Sequence, residues 1–270
     1  MFRNKLSYVG AVILCLFVLS ALLAPWLAPC DPYAISLSEQ LARPSAAHLL
    51  GQDGNGADIL SRLLYGGRIS FAVGVTVVFF SGGIGVFLGL LSGYHGGLLD
   101  MILMRVVDIL LAFPGLLLAI ALVAVLGPNM SNVVLALTVM GWVSFARLVR
   151  GQVLSVKERD YIQAARTSGQ SDLRIMLAHV LPNVLSPVIV QATFSVAGVI
   201  VAEASLSFLG LGAPPGTPSW GAMLSEGKQV LLEAPHVSIF PGLAIMLVVL
   251  SINFLGDGLR DHFDPRVSRT

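Results

Sequence analysis

Charge is what this chain has least of. Only 11% of its 270 residues are Asp, Glu, Lys or Arg, where an ordinary soluble domain carries about 25%. Hydrophobic residues make up 56%, and the mean hydropathy is +0.84. So little polar surface cannot coat a globule of this size, which excludes an ordinary soluble fold and leaves a multi-span membrane protein. The net charge of +1 gives no reason to expect a nucleic-acid partner. Cysteine is scarce too. Cys15 lies inside an apolar run and Cys30 just beyond it, too far apart along one helix to bridge. A disulfide framework is therefore excluded, and both cysteines read as packing residues.

The motifs of chemistry are missing as well. No G-x-x-x-x-G-K-[ST] occurs; Gly227-Lys228 is followed by Gln229 and lacks the upstream glycine, so ATP binding by a phosphate loop is not expected. There is no G-x-S-x-G, H-E-x-x-H or C-x-x-C. His48, His95, His179, His236 and His262 are scattered singly, so no metal cluster is expected. A calcium loop counted from Asp53 fails, because position 5 is Ala57, position 6 is Asp58 and position 12 is Leu64. That stretch reads instead as a structured, glycine-bent external loop. No paired nucleophile and base marks an intramembrane enzyme.

What the chain has is long apolar runs. Leu6–Cys30 exceeds a signal-peptide core and ends near Trp26, an interfacial anchor, so it reads as a retained first span with a cytoplasmic N-terminus. Ile69–Leu99 carries no charge and reads as the second span, with Ser81, Gly85, Gly89 and Gly93 on one face for close packing against a neighbour. Met101–Leu126 is a third, with Pro114 predicting a kink and Arg105 and Asp108 spaced to pair on one face. Val133–Phe145 forms the core of a fourth. Val184–Leu209, interrupted by Pro187, is the fifth, and Val237–Leu255 the sixth, after which Gly256-Asp257-Gly258 opens a charged tail.

Six spans put both termini on one side. That side then holds 12 of the 16 Lys and Arg residues, including Arg3, Lys5, Arg147, Arg150, Arg174, Arg266 and Arg269, against four on the other: Arg43, Arg62, Arg68 and Lys228. The excess marks the cytoplasm. In the fifth span Glu203 is an acid in an apolar run. It either lines a substrate path or sits near the outer boundary, held by hydrogen bonds to neighbouring backbone.

The polar interval Arg150–Asn183 lies between spans four and five. Val153, Val156, Tyr161, Ala164, Ala165 and Ser168 suggest one helix, ended by Gly169. Ser171 or Asp172 caps a second helix, with an apolar stripe of Leu173, Met176, Leu177, Val180 and Leu181 and a stop at Pro182. A short amphipathic helical pair on the cytoplasmic side is suited to docking in a groove of another protein.

Gln163-Ala164-Ala165, three residues, Gly169, nine residues, then His179-Val180-Leu181-Pro182 resembles the cytoplasmic loop of bacterial ABC importer permeases, with Gln163 in place of the usual acid. Leu50-Gly51-Gln52-Asp53, Leu60 to Gly66, Met104 to Asp108, Glu203 to Gly212, Trp220-Gly221, Gly256 to Asp261 and Asp264-Pro265 are similar to the dipeptide/oligopeptide/nickel branch, in its shorter C type; Ala57 stands where that branch usually has arginine. The resemblance implies an all-α polytopic fold with six transmembrane helices, the type I importer permease. It implies an N-terminal unit over 1–67, a core permease over 68–257 with coupling helices at about 151–182, and a cytoplasmic tail over 258–270. It implies a bacterial inner-membrane location, no catalytic residue or metal in this chain, and no cofactor here, since ATP and magnesium bind partner subunits. Those partners are a second homologous permease, two ATP-binding subunits and an extracytoplasmic solute-binding protein, besides membrane lipid.

On the same resemblance Tyr161, Gln163, Ala164, Ala165, Gly169, Leu181 and Pro182 are the ATPase-coupling residues, while Glu203, Arg105 and Asp108, as the charges within the spans, are translocation-path candidates. Di- and oligopeptides are the first substrate reading, nickel or a metal chelate the second. An ATP-independent secondary transporter or channel is the rival from another class, disfavoured because it usually carries mid-membrane ion-coupling groups or inverted repeats.

Overall fold

A computed structural model describes residues 5–214 and 216–263. Arg3, Asp264, Pro265, Arg266 and Arg269 lie outside the described residues. Among the described residues the fold is all-helical, with one isolated bridge between Gln52 and Asp58 in place of any strand. The helices are α1 (Lys5–Leu22), α2 (Ala24–Leu27), α3 (Ile59–His95), α4 (Gly97–Leu111), α5 (Gly115–Leu126), α6 (Met130–Val156), α7 (Asp160–Thr167), α8 (Asp172–Ile175), α9 (Leu181–Phe208), α10 (Trp220–Gln229) and α11 (His236–Phe263). Five helical stretches are long and apolar enough to cross a bilayer, and a sixth crossing results if α4 and α5 form one broken span.

α3 starts ten residues before the expected Ile69. The Asp58 carboxylate caps it by accepting the Ser61 N–H at 2.8 Å. Two arginines precede the expected start, of which Arg68 stands 5.7 Å over the Tyr65 ring and Arg62 is neutralised by pairing. Arg62 is buried and donates to Asp53 and to Glu226, the latter through Nη1 at 2.6 Å and Nη2 at 3.1 Å. Asp53, the first position of the failed calcium loop, also accepts the N–H groups of Asn55 and Ala57. The segment before α3 is thus a structured loop, as expected, locked onto the helix by an ion cluster. The boundary drawn at 67/68 falls inside α3.

The small-residue face of α3 packs on α6. A methyl at Gly89 would stand 2.5 Å from the Ala146 carbonyl oxygen, and one at Gly85 would stand 2.5 Å from that of Trp142. Gly93 meets Val153 in the same manner, and Gly141 of α6 faces Ser81. The two backbones lie close because none of these positions carries bulk.

Pro114 does more than kink the third span. It lacks an N–H and crowds Phe113 out of helical geometry, so α4 and α5 meet at 87°. Arg105 and Asp108 are both exposed on α4 and form no ion pair with each other. The acid of α4 that finds a cation is Asp100, which receives Arg150 of α6 through Nη2 at 2.6 Å and also the Ser92 hydroxyl.

α9 runs unbroken through Pro187. The Gly- and Pro-containing stretch between the fifth and sixth expected spans contains α10, capped by the Ser219 hydroxyl. Trp220 at its start is buried on Gly66 and Gly67 of α3 and donates Nε1–H to the Leu63 carbonyl at 2.9 Å. Gly221 lies against the Ala204 backbone of α9. α11 continues past the expected end of the sixth span to Phe263, because Gly256 and Gly258 serve as contact points for Phe194 and Ser7 rather than as a helix stop. The boundary at 257/258 is therefore also intrahelical. Trp26 is 80% exposed at the end of α2, where an interfacial anchor belongs.

Candidate functional site

The helical pair forms, shifted from its expected bounds. Val153 and Val156 belong to the end of α6; the chain then turns at Lys157–Arg159 before α7 begins. Gly169 closes α7 with φ +76°, and the pattern is a paired 6→1 and 5→2 closure. Gln170 N–H bonds the Ala165 carbonyl at 3.2 Å, and Gly169 N–H bonds that of Arg166 at 2.9 Å. A side chain with Cβ would be strained at that φ, which is why glycine ends this helix.

The second rod does not stop at Pro182. Residues Met176–Val180 wind as a π turn, with Leu181 N–H reaching the Met176 carbonyl, and α8, this turn and α9 form one helical stretch, Asp172–Phe208. The widened turn accommodates the residue that cannot donate, so the proline continues into the fifth span. The apolar stripe is also rotated from expectation. Ile175, Met176, Val180 and Val184 are buried, whereas Leu173 and Leu177 are 63% and 52% exposed.

One face of the pair is cemented to the ends of α3 and α6. Ile162, Ala165, Ile175 and Met176 form a cluster with Leu90, Tyr94, Val149, Val153 and Val156. Three polar ties reinforce it. The Tyr94 hydroxyl donates to Asp172 Oδ1 at 2.6 Å, the Arg166 guanidinium stands 5.1 Å over the Tyr94 ring, and Lys157 Nζ donates to the Gly93 carbonyl at 3.0 Å. Within the pair, Gln163 Nε2 donates to the Lys157 carbonyl, and a His179 ring nitrogen bonds Gln170 Oε1 at 2.9 Å.

The opposite face is uncovered. Tyr161, Gln163, Ala164, Gly169 and Pro182 are exposed, and Leu181 is half-buried. Ala165 differs from them: it is 7% exposed and packs inward, in the cluster with the ends of α3 and α6. Tyr161, Leu173 and Leu177 give this face large apolar groups, with exposed Arg159, Arg166 and Arg174 beside them. Apolar anchors ringed by guanidinium groups are what a protein-docking surface contains.

The three path candidates do not converge. Glu203 is fully buried and accepts the hydroxyls of Ser70 at 2.9 Å and Ser207 at 2.8 Å, near the end of α9 remote from the pair. Its partners are side chains of α3 and α9 rather than backbone, and it lines no open groove of this chain among the described residues. Arg105 and Asp108 lie on the surface of α4. A cleft of about 190 Å³ instead opens between α6 and α9, with Ser81, Gly141, Ser144, Ser195 and Gly198 among its walls. Sequence reading missed this cleft and Tyr94, whose partner is 78 residues away; an aromatic residue at the end of an apolar run was the only local sign.

The chain's relatives agree with this geometry. Residues 85–269 match the family model for the binding-protein-dependent transport system inner membrane component, and residues 1–44 match that for the N-terminal TM domain of oligopeptide transport permease C. The chain is 45% identical over 265 residues to the dipeptide transport system permease protein DppC of Alkalihalophilus pseudofirmus, covering 98% of this chain and 87% of that protein. It is 47% identical over 266 residues to the glutathione transport system permease protein GsiD of Escherichia coli, covering 98% and 88%. Its fold is similar to that of a chain of the MetNI methionine ABC transporter in an inward-facing conformation, with TM-score 0.62 at 20% identity over 76% of this chain and 98% of that one.

Proposed function

The chain belongs to the binding-protein-dependent inner membrane components, the multi-pass permeases of ABC importers, and on that premise we propose that it forms half of a path for peptide-sized substrates. Permeases of this family have no ATPase site and no cofactor of their own, and they work with ATPase and binding-protein partners. The substrate reading rests on the dipeptide and glutathione relatives. In the assembly we infer, this chain pairs with a second homologous permease, two ATPase subunits grip the pair from the cytoplasm, and both termini lie on that side. The serine-lined cleft between α6 and α9 faces the second permease and supplies one wall of the path.

The observation that carries the coupling role is the two-sidedness of α7 and α8. Their inner face is fastened to α3 and α6, and their outer face offers Tyr161 and Leu173 uncovered, continued by Leu177 of the π turn. A motor bound to that outer face moves the ends of two spans directly. Leu173→Glu and Leu177→Glu test this, since both side chains are exposed and neither packs in the cluster with α3 and α6. Both lower recovery of the ATPase subunits with the purified permease and reduce peptide uptake. Stoichiometric recovery and normal uptake in both variants would refute the docking. Uptake of labelled dipeptide and labelled glutathione by cells lacking and regaining this permease tests the substrate class separately.

A further inference from the structure

At the end of α3 remote from the helical pair, three sequence-distant side chains meet. Cys30 follows α2, His48 lies in the connecting loop, and Asp58 caps α3. One ligand-capable atom of each, the Cys30 sulfur, a His48 ring nitrogen and an Asp58 carboxylate oxygen, lies within 4.8 Å of the other two. We propose that Cys30, His48 and Asp58 form a binding site for a zinc-class divalent cation, open to solvent at a fourth position. This is a cation taken from the medium, separate from the coupling machinery, and it does not depend on the peptide reading. It also departs from the expectation, drawn from singly scattered histidines, that no such cluster exists.

The chemistry of the set selects the ion. Thiolate, imidazole and carboxylate together suit zinc in tetrahedral coordination, whereas calcium and magnesium take oxygen ligands. With metal bonds of about 2.0–2.3 Å, ligand atoms around such a centre stand roughly 3.3–3.8 Å apart. His48 Nδ1 and Asp58 Oδ1 are 3.0 Å apart and the three ligand atoms lie within 4.8 Å of one another, so closing the site asks that the first pair open by a few tenths of an ångström and that the widest separation shrink by about 1 Å. Binding releases the Cys30 thiol proton to water, and His48, bound through one ring nitrogen, keeps its proton on the other.

The surroundings have the form of a supporting shell. Asp58 Oδ2 accepts both the N–H and the hydroxyl of Ser61 at 2.8 Å, which fixes the carboxylate and leaves Oδ1 turned toward His48. The same Ser61 oxygen accepts the Cys30 N–H at 3.1 Å, so one hydroxyl orients two of the three ligand-bearing residues. Asp58 is shut off from solvent while the His48 side chain is 22% exposed, which gives an ion a way in. An ion there ties the end of the first span, the loop and the start of α3 to one point.

The test uses the full chain, purified in detergent without a polyhistidine tag and titrated with Co²⁺. The expected result is a thiolate-to-cobalt charge-transfer band at one equivalent, displaced by Zn²⁺, retained in Cys15→Ser and lost in Cys30→Ser. Ser61→Ala weakens Co²⁺ binding by about 10–100-fold, the effect of losing a supporting partner. In the Cys15→Ser chain, where all three ligands are intact, Zn²⁺ at ten times its dissociation constant slows alkylation of Cys30 about tenfold. No band, a band that survives Cys30→Ser, or alkylation indifferent to Zn²⁺ overturns the proposal.

Discussion

Tyr94→Phe removes one oxygen and leaves the rest of the pair's seat in place. The ring keeps its position under Arg166 and within the apolar cluster, so the substitution removes only what the hydroxyl makes, its bond to Asp172 and its polar contact with Arg166. A hydrogen bond to a charged group contributes about 1.5–3 kcal/mol. Tyr94 is 5% exposed, but Asp172 is exposed and water can solvate its freed carboxylate, which puts the loss at the low end. A cost of about 1.5 kcal/mol corresponds to a roughly tenfold larger population in which the pair is detached from α3. Two readouts follow. Amide exchange over residues 160–180 speeds up by about that factor while exchange within α3 and α11 holds, and substrate taken up per ATP hydrolysed falls with the ATPase still bound. Unchanged exchange in that stretch together with an unchanged transport-to-hydrolysis ratio would refute the tie between α3 and the pair.

Gly89→Ala forces a methyl against the Ala146 carbonyl and lowers stability by about 1–3 kcal/mol, read as an earlier thermal transition of the purified chain; an unshifted transition would show that α3 and α6 are not in close contact. Arg62→Met leaves Asp53 and Glu226 without their cation. Breaking a buried pair costs about 3–5 kcal/mol; the exposed third of Glu226 moderates this, and reduced membrane yield is expected, with normal yield counting against a structural cluster. Glu203→Gln keeps an acceptor for one serine and offers an N–H that the other hydroxyl accepts by turning, and leaves uptake within about twofold, whereas Glu203→Ala orphans two buried hydroxyls at about 1–3 kcal/mol each. A Gln variant that abolished uptake in a stable chain would return the carboxylate to the transport path.

The apolar runs located the five long helices and the bent pair α4–α5, because bilayer thickness sets a length that composition alone can read. They misplaced the ends, because helix ends are decided by caps and partners. Asp58 starts α3 across two arginines that look hostile until Asp53 and Glu226 are seen opposite Arg62. Gly256 and Gly258 read as a stop, yet each is a contact point on a continuing helix. The turn at Gly169 was legible since only a positive φ needed explaining. The exposure of Leu173 was not, because the π turn rotates the second rod relative to an ideal 3.6-residue period, and the burial of Ala165 in α7 was not, because it is set by packing against α3 and α6. Pairings such as Tyr94 with Asp172, Asp100 with Arg150 and Cys30 with His48 join residues far apart in the chain, and no local pattern announces them.

Since the π turn carries the backbone past Pro182 without interruption, Asp172 and Phe208 are the two tips of one continuous helix of 37 residues, about 55 Å long. Its joints are the π turn and Pro187, the two places where such a rod bends most readily. Both lie in the half nearer the Asp172 tip, so the stretch from Pro187 to Phe208 is the long arm of any movement that begins at that tip.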